Sequence, residues 1–254
     1  MKKRIVTKQA IELFEKYLIE SEKANATLEK YKRDIRSFAE YVKGSPINKA
    51  LVLDYKASLE QTYTARSANS MLAALNSFLR FLGWYDLCVK QFKIQRDAYC
   101  SEEKELSRTE YEAIVKTAER KNNQRISLVV QTICGTGIRV SELSCITVEA
   151  VRRGEAVVSC KGKTRKVFIV SSLRRKLLTY ADKQKISSGI IFVTKSGKPL
   201  DRSNIWREMK KLCLDAGVSP EKVFPHNLRH LFARTFYGIE KDIAKLADIL
   251  GHEA

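Results

Sequence analysis

The chain has 254 residues, enough for two modest domains or one large one, and 44% of them are hydrophobic, enough for packed cores. Its 47 Lys and Arg outnumber 29 Asp and Glu, and the net charge of +18 divides into +7 over residues 1–97 and +11 over residues 98–254. A basic body, rather than a basic tail, favours a polyanionic partner, most often nucleic acid, over an ordinary protein with a solvated basic surface. No apolar run approaches the ~18 residues of a membrane span, and charges interrupt the N-terminal stretch before a signal-peptide core forms.

Apolar residues recur at helical spacing through the first part of the chain. The segment TLEKYKRDIRSFAEYVKG places five of them on one face: Leu28, Tyr31, Ile35, Phe38 and Val42. Three more amphipathic segments surround it: AIELFEKYLIES, INKALVLDYKASLEQ and SANSMLAALNSFLRFLGW. We therefore predict a small helical bundle over residues 1–95.

Residues 96–101 lie in a polar stretch without periodicity, which predicts a linker to a second domain over residues 102–254. Ser107 and Glu110 form the S-x-x-E pattern of a capping box, which predicts a helix start. Further helices are predicted over RISLVVQTICGTG, SSLRRKLLTYADKQ, RSNIWREMKKLCLDAG and, as a pair, the closing residues. The segment GEAVVSCKGKTRKVFIV predicts a β-hairpin, and GIIFVT favours a short strand.

Six cysteines, at positions 88, 100, 134, 145, 160 and 213, contain no C-x-x-C pair. Scattered cysteines among apolar neighbours predict buried free thiols of a cytosolic protein.

The segment CGTGIRVSEL brings an arginine close to a carboxylate. Gly135 and Gly137 permit a tight turn, and a new helical turn is predicted from Ile138. Arg139 and Glu142 stand at i and i+3, so the carboxylate can orient the guanidinium. Taken alone, this pattern favours an ordinary surface ion pair.

The predicted hairpin tip, CKGKTRK, carries four cations: Lys161, Lys163, Arg165 and Lys166. A basic tip of this kind can reach a phosphate or a DNA groove. The GKT within it resembles the end of a P-loop, but that motif needs a glycine where Val157 stands and a strand–loop–helix setting. A nucleotide triphosphatase is therefore excluded.

All three histidines of the chain lie in its last 31 residues, around the motif PHNLRH. His226 and Arg229 are predicted at a helix N-terminus, where free N–H groups favour an anion. Two arginines can each bind a phosphate with two hydrogen bonds, and a Lys or His can exchange its protons. The alternative is a zinc ion held by His226, His230 and His252. Two observations argue against it: Arg229 would repel a cation, and the sequence contains no H-E-x-x-H motif. For His230 we expect packing or a supporting contact.

Four segments in this order, TGIRVSEL, CKGKTRKV, HNLRH and LGH, resemble the active-site boxes of the tyrosine recombinase (phage integrase) family. The resemblance covers nearly the whole chain, and its layout is similar to the Xer-like two-domain type. It implies a mainly α fold with a small β-hairpin sheet. It also implies a helical core-binding domain and a catalytic domain that together form a C-shaped clamp on DNA.

The resemblance also implies roles for the site residues. Arg139 and Arg229 would clamp the scissile phosphate, His252 would hydrogen-bond it, and Glu142 would support the first arginine. Lys161, with Lys163 as the fallback, would protonate the leaving 5′-oxygen. His226 would assist proton transfer at the nucleophile.

The implied partner is double-stranded DNA with inverted-repeat core sites, bound by a dimer on each site and a tetramer in the synapse. The implied chemistry passes through a 3′-phosphotyrosyl intermediate and needs neither a metal nor another cofactor. The sequence specifies neither the target DNA nor an accessory directionality factor.

The family's nucleophilic tyrosine falls about nine residues past His252, near position 261, whereas the chain ends at Ala254. Tyr237, on the H-x-x-R helix, is predicted to pack in the core. The chain as given is therefore expected to bind DNA without cleaving it. Two alternatives stay open: a DNA-binding-only relic or regulator, and a type IB topoisomerase-like enzyme.

Overall fold

The computed structural model describes residues 3–94, 104–160, 163–194 and 196–251. Contacts divide the chain into two compact units, Met1–Ala98 and Tyr99–Ala254. The predicted linker, residues 96–101, lies outside the described residues. In the described ranges, no helix combines the length and apolarity that a membrane crossing requires.

Unit 1 contains the four predicted helices, which confirms the helical bundle. They are α1 (Lys8–Glu20), α2 (Asn25–Val42), α3 (Lys49–Thr62) and α4 (Ala65–Phe81). Three of them begin at side-chain N-caps, because Thr7, Asn48 and Thr64 each accept a hydrogen bond from the first helical turn. The apolar faces meet in one core that includes Phe14, Ile35, Phe38, Leu72 and Phe78.

Two asparagines of α4 hold the chain that follows it against the bundle. The Asn76 side chain donates to the Val89 carbonyl at 2.8 Å and accepts from the Val89 N–H at 2.9 Å. Asn69 makes the same pair of bonds with Phe92, at 2.9 and 2.7 Å. Residues 89–92 therefore belong to unit 1 although the sequence shows no periodicity there.

Unit 2 is built around α6, which packs against α5, α8, α9 and α10. Its helices are α5 (Arg108–Arg120), α6 (Gln124–Thr136), α7 (Val148–Arg153), α8 (Ser171–Lys183), α9 (Arg202–Ala216), α10 (Pro225–Glu240) and α11 (Ile243–Leu250). The capping box of Ser107 and Glu110 is confirmed: Glu110 donates its N–H to the Ser107 hydroxyl at 3.1 Å, and the Ser107 N–H donates to the Glu110 carboxylate at 2.8 Å. The short α7 is an element that the sequence pattern did not predict.

The predicted hairpin is confirmed as an antiparallel pair, β1 (Glu155–Cys160) and β2 (Lys163–Phe168). The prediction of a short strand over GIIFVT is wrong. Residues Ile190 and Val193 form only isolated bridges, to Thr147 and to Pro199. A ladder cannot extend there, since each bridge has a different partner segment and Pro199 has no N–H to donate.

The prediction of buried thiols is only partly right. The four described cysteines are free, but Cys213 alone among them is fully buried, while Cys88, Cys134 and Cys145 are partly exposed.

Candidate active site

The first arginine is positioned by a sharp corner after α6. Gly137 ends the helix in the left-handed region, with φ +65°. A 3₁₀ helix then begins at Val140, two residues later than the turn predicted from Ile138. Arg139 precedes this helix, and its backbone N–H donates to the Glu142 carboxylate at 2.8 Å. The short helix therefore begins with its own carboxylate cap and keeps residues 139 and 142 together.

The predicted pairing of Arg139 with Glu142 is confirmed. The Arg139 Nη1 atom lies 3.2 Å from Glu142, and the side chains are 33% and 2% exposed, respectively. This is not a surface ion pair, because the carboxylate is buried. The guanidinium stands at the boundary between that carboxylate and solvent.

Arg165 completes this ion pair from the hairpin, which corrects its assignment to a DNA-reaching tip. Its guanidinium donates to both oxygens of Glu142, at 2.9 and 2.8 Å, and its Nε donates to the Ile249 carbonyl at 2.8 Å. The side chain is only 12% exposed. Burial alone raises the pKa of the Glu142 carboxyl, but the hydrogen bonds from Arg165 and Arg139 outweigh burial and hold that pKa below its usual value.

Helix α10 supplies the second arginine. Pro225 occupies its first turn, as the sequence predicts. Arg229, one turn further, is 5% exposed and donates hydrogen bonds to the Gly137 and Leu250 carbonyls, the latter at 2.5 Å. One guanidinium therefore ties together the ends of α6 and α11.

His226 and His230 are neighbours on α10. Their Nε2 atoms are 3.0 Å apart, and both side chains are exposed. The contact of His230 with His226 is consistent with the expected packing or supporting role of His230. Across the described ranges, no three His, Cys, Asp or Glu side chains come together as a metal site.

A cleft of about 830 Å³ opens at this part of unit 2. Its lining includes Arg139, His226 and Arg229. The N-terminal turn of α10 opens onto the same space, so helix N–H groups add to the positive field of the guanidinium groups. An anion such as a phosphodiester is the ligand that this lining favours.

Among the cleft residues that sequence reasoning missed are Arg202 and Trp206 of α9. They stand at i and i+4, and Trp206 is 49% exposed. The Nζ atom of Lys210 lies 5.4 Å from its ring centroid, which extends the basic and aromatic face by another turn. A tryptophan flanked by cations at helical spacing was the available signal.

Two predicted site residues, Lys161 and His252, lie outside the described residues. The backbone of Lys163 begins β2 and pairs with Cys160, and its side chain is not described. Tyr237 is on α10 as predicted, but the prediction that it packs in the core is wrong, because 46% of the residue is exposed.

Comparisons with known proteins show the family of the chain. Residues 104–254 match the model of the phage integrase family, and residues 11–85 match the phage integrase N-terminal SAM-like domain. Tyrosine recombinase XerA of Pyrococcus horikoshii is 30% identical over 99% of this chain and 88% of its own length. Tyrosine recombinase XerA of Thermococcus kodakarensis is 29% identical over 96% and 86%.

Solved structures show the same fold. A lambda integrase dimer bound to a COC′ core site superposes with a TM-score of 0.78 at 18% identity, over 97% of this chain and 94% of that one. The chain therefore belongs to the phage integrase, or tyrosine recombinase, family, whose members break and rejoin DNA strands. The resemblance stated from the four boxes is confirmed.

Proposed function

We propose that this protein is a site-specific recombinase that acts on double-stranded DNA through a covalent 3′-phosphotyrosyl intermediate. The observation that carries the proposal is the convergence of Arg139, Arg229 and His226 on one cleft. These residues come from two chain segments far apart in sequence, so their meeting is a property of the fold. Membership of the tyrosine recombinase family supports the same reaction.

The two guanidinium groups suit the charge that the reaction creates. As a tyrosine oxygen attacks the phosphorus, negative charge grows on the non-bridging oxygens of the phosphate. Arg139 and Arg229 can donate hydrogen bonds to those oxygens, and a preorganised donor is most effective where charge develops. Both side chains are tied by protein partners, so little reorganisation is needed when the phosphate arrives.

The proposed step conserves bonds and protons. The tyrosine Oη–P bond forms and the P–O5′ bond breaks. The phenol proton passes to a base, for which His226 is the candidate, and O5′ receives a proton from Lys161, with Lys163 as the alternative. A 5′-hydroxyl from another strand then reverses the step and frees the tyrosine. The bond energy stays in the phosphotyrosine, so no metal or other cofactor takes part in the proposed reaction.

The proposed assembly is a dimer on each inverted-repeat site and a tetramer in the synapse. The similar lambda integrase structures contain a dimer on a core site and a tetramer on a Holliday junction, which supports this arrangement. Residues 1–95 would act as the core-binding domain and residues 102–254 as the catalytic domain. A cytoplasmic location is part of the proposal, because DNA is the substrate.

The test maps covalent attachment on genomic DNA. Because the attacking tyrosine is expected near position 261, the protein tested is a form that continues through that position. It is incubated with the DNA, complexes are trapped with denaturant, and the attached 3′ ends are sequenced. A recombinase yields ends at a few inverted-repeat sites. Scattered ends together with relaxation of a supercoiled plasmid would favour the topoisomerase, and binding without any attachment would favour a DNA-binding-only regulator.

Variants of Arg229 connect that assay to the site. Arg229→Ala is expected to abolish attachment while the salt-dependent DNA affinity persists, because the phosphate contacts are spread over a protein of charge +18. Arg229→Lys keeps the charge but loses bidentate bonding and is expected to attach weakly. Arg207→Ala, at an exposed arginine of α9 outside the cleft lining, is the control. Normal attachment by both Arg229 variants would remove this arginine from the catalytic set.

A further inference from the structure

The direction of the Arg165 side chain follows from the hairpin register. Arg165 pairs with Val158, and Ala156 pairs with Val167. Directly paired residues share a sheet face, and faces alternate along each strand. Ala156 and Val158 are fully buried and Val167 is 2% exposed, so Arg165 belongs to the buried face.

The neighbouring Lys166 belongs to the opposite face. It pairs with Val157, which is 53% exposed, and its own side chain is 62% exposed and bound to Glu155. Arg165 is therefore turned into the protein, and the next residue of the strand, Lys166, is turned outward. The inward side chain requires an explanation, because burying a guanidinium is costly unless it is fully partnered.

The partner is the carboxylate that also holds the catalytic arginine. Among the residues that the structure describes, Glu142 accepts four hydrogen bonds: two from the Arg165 guanidinium, one from the Arg139 backbone and one from the Arg139 guanidinium. A carboxylate offers about four acceptor sites, so its capacity is filled. The bond from the Arg139 guanidinium, at 3.2 Å, is the longest of the four.

We propose that Arg165 is a positioning residue that satisfies the charge of Glu142 and so leaves the Arg139 guanidinium directed at the phosphate. This inference rests on the phosphate-binding cleft proposed above. Glu142, 2% exposed in the intact protein, would lose two of these four hydrogen bonds without Arg165. The Arg139 guanidinium, already in contact, would turn to make a second bond with the carboxylate and withdraw N–H groups from the cleft.

A second contact extends the same role to the end of α11. Arg165 donates to the Ile249 carbonyl, and Arg229 donates to the next carbonyl, that of Leu250. These carbonyls belong to the last turn of the helix, which carries the negative end of its dipole. Arg165 therefore links the Glu142–Arg139 pair to the helix end that the second arginine also holds.

The test measures anion binding at Arg139 itself, with sulfate as the probe and chloride keeping the ionic strength constant. The Arg139 Nε–H signal is followed by NMR and assigned with the Arg139→Lys variant. Arg165→Ala is expected to raise the sulfate Kd about tenfold, as expected for one charge-assisted hydrogen bond. Arg165→Lys, which can make a single-point contact, is expected to fall between this variant and the wild type and serves if Arg165→Ala fails to fold.

The decisive readout is rescue. In the Arg165→Ala background, Glu142→Gln removes the charge that captures Arg139, so it is expected to return the sulfate Kd close to the wild-type value. Since Glu142→Gln also removes an unpaired buried charge and would restore stability, the Kd is compared only between samples that urea unfolding shows to be folded. Lys166→Ala, which removes one cation from the outer face of the same strand, is the control and is expected to leave the Kd unchanged.

Four results would overturn the inference. They are an unchanged Kd in both Arg165 variants, no rescue by Glu142→Gln, an equal loss in Lys166→Ala, and a wild-type Arg139 signal that ignores sulfate. The last result would also remove the proposed phosphate site. The first three would leave that site, and the proposed function, intact.

Discussion

Replacing Gly137 with alanine tests whether the corner before Arg139 depends on a missing side chain. Gly137 has φ +65°, a conformation that costs an L-residue about 1–2 kcal/mol. A Cβ atom there would lie 2.5 Å from Cδ1 of Phe232 and 3.1 Å from Cδ2 of Leu250. Ordinary carbon contacts are about 3.5–4.0 Å, and overpacking of this kind costs about 1–3 kcal/mol. Gly137→Ala should therefore lower the free energy of unfolding of unit 2 by about 2–5 kcal/mol.

Gly217 provides a matched control. It ends α9 with the same φ of +65°, but a Cβ atom there would meet no described atom within 4 Å. Gly217→Ala should therefore lose only the backbone term, about 1–2 kcal/mol. The difference between the two variants isolates the clash with Phe232.

The chain has two tryptophans, Trp84 in unit 1 and Trp206 in unit 2. In a Trp84→Phe background, urea unfolding followed by Trp206 fluorescence therefore reports on unit 2 alone, which matters because two units need not unfold together. Equal losses for Gly137→Ala and Gly217→Ala would refute the packing argument. The Gly137 carbonyl accepts from Arg229, so the first variant should also weaken sulfate binding in the cleft, and the second should not.

Three further predictions concern other parts of the molecule. Asn76→Ala should destabilise unit 1 by about 2–4 kcal/mol, because two buried hydrogen bonds to Val89 are lost, and Trp84 fluorescence in a Trp206→Phe background measures it. The pKa of Glu142 is lowered in the folded state, so its contribution to stability is present above its ordinary value of 4.5 and is lost as pH falls through the folded value. Glu142→Gln should therefore cost stability at pH 7 and progressively less as the pH falls below 4.5, as a series of urea midpoints will show. DNA affinity should fall with salt, with a log–log slope near ~0.9 per phosphate contacted, and a slope near zero would refute a phosphate-based interface.

The sequence alone predicted the local structure well, for a local reason. The helix start predicted at Ser107 depends on one side chain and on backbone groups within three residues. Amphipathic periodicity predicted most helices of both units. The four boxes pointed to Arg139, His226 and Arg229, which line one cleft. The pairing of Arg139 with Glu142 was also within reach, since i and i+3 are neighbours on one turn.

The tertiary structure decided which groups at a distance satisfy one another. Arg165 donates hydrogen bonds to Glu142, 23 residues away in sequence, and Arg229 donates one to the Gly137 carbonyl, 92 residues away. Tyr237 is exposed and residues 190–193 form no ladder, because both outcomes depend on what the fold brings alongside them. The sequence around a Lys or Arg does not indicate whether its side chain will contact solvent, DNA or a buried carboxylate. That choice follows from the sheet face on which it lies and from the cost of leaving a buried charge without a partner.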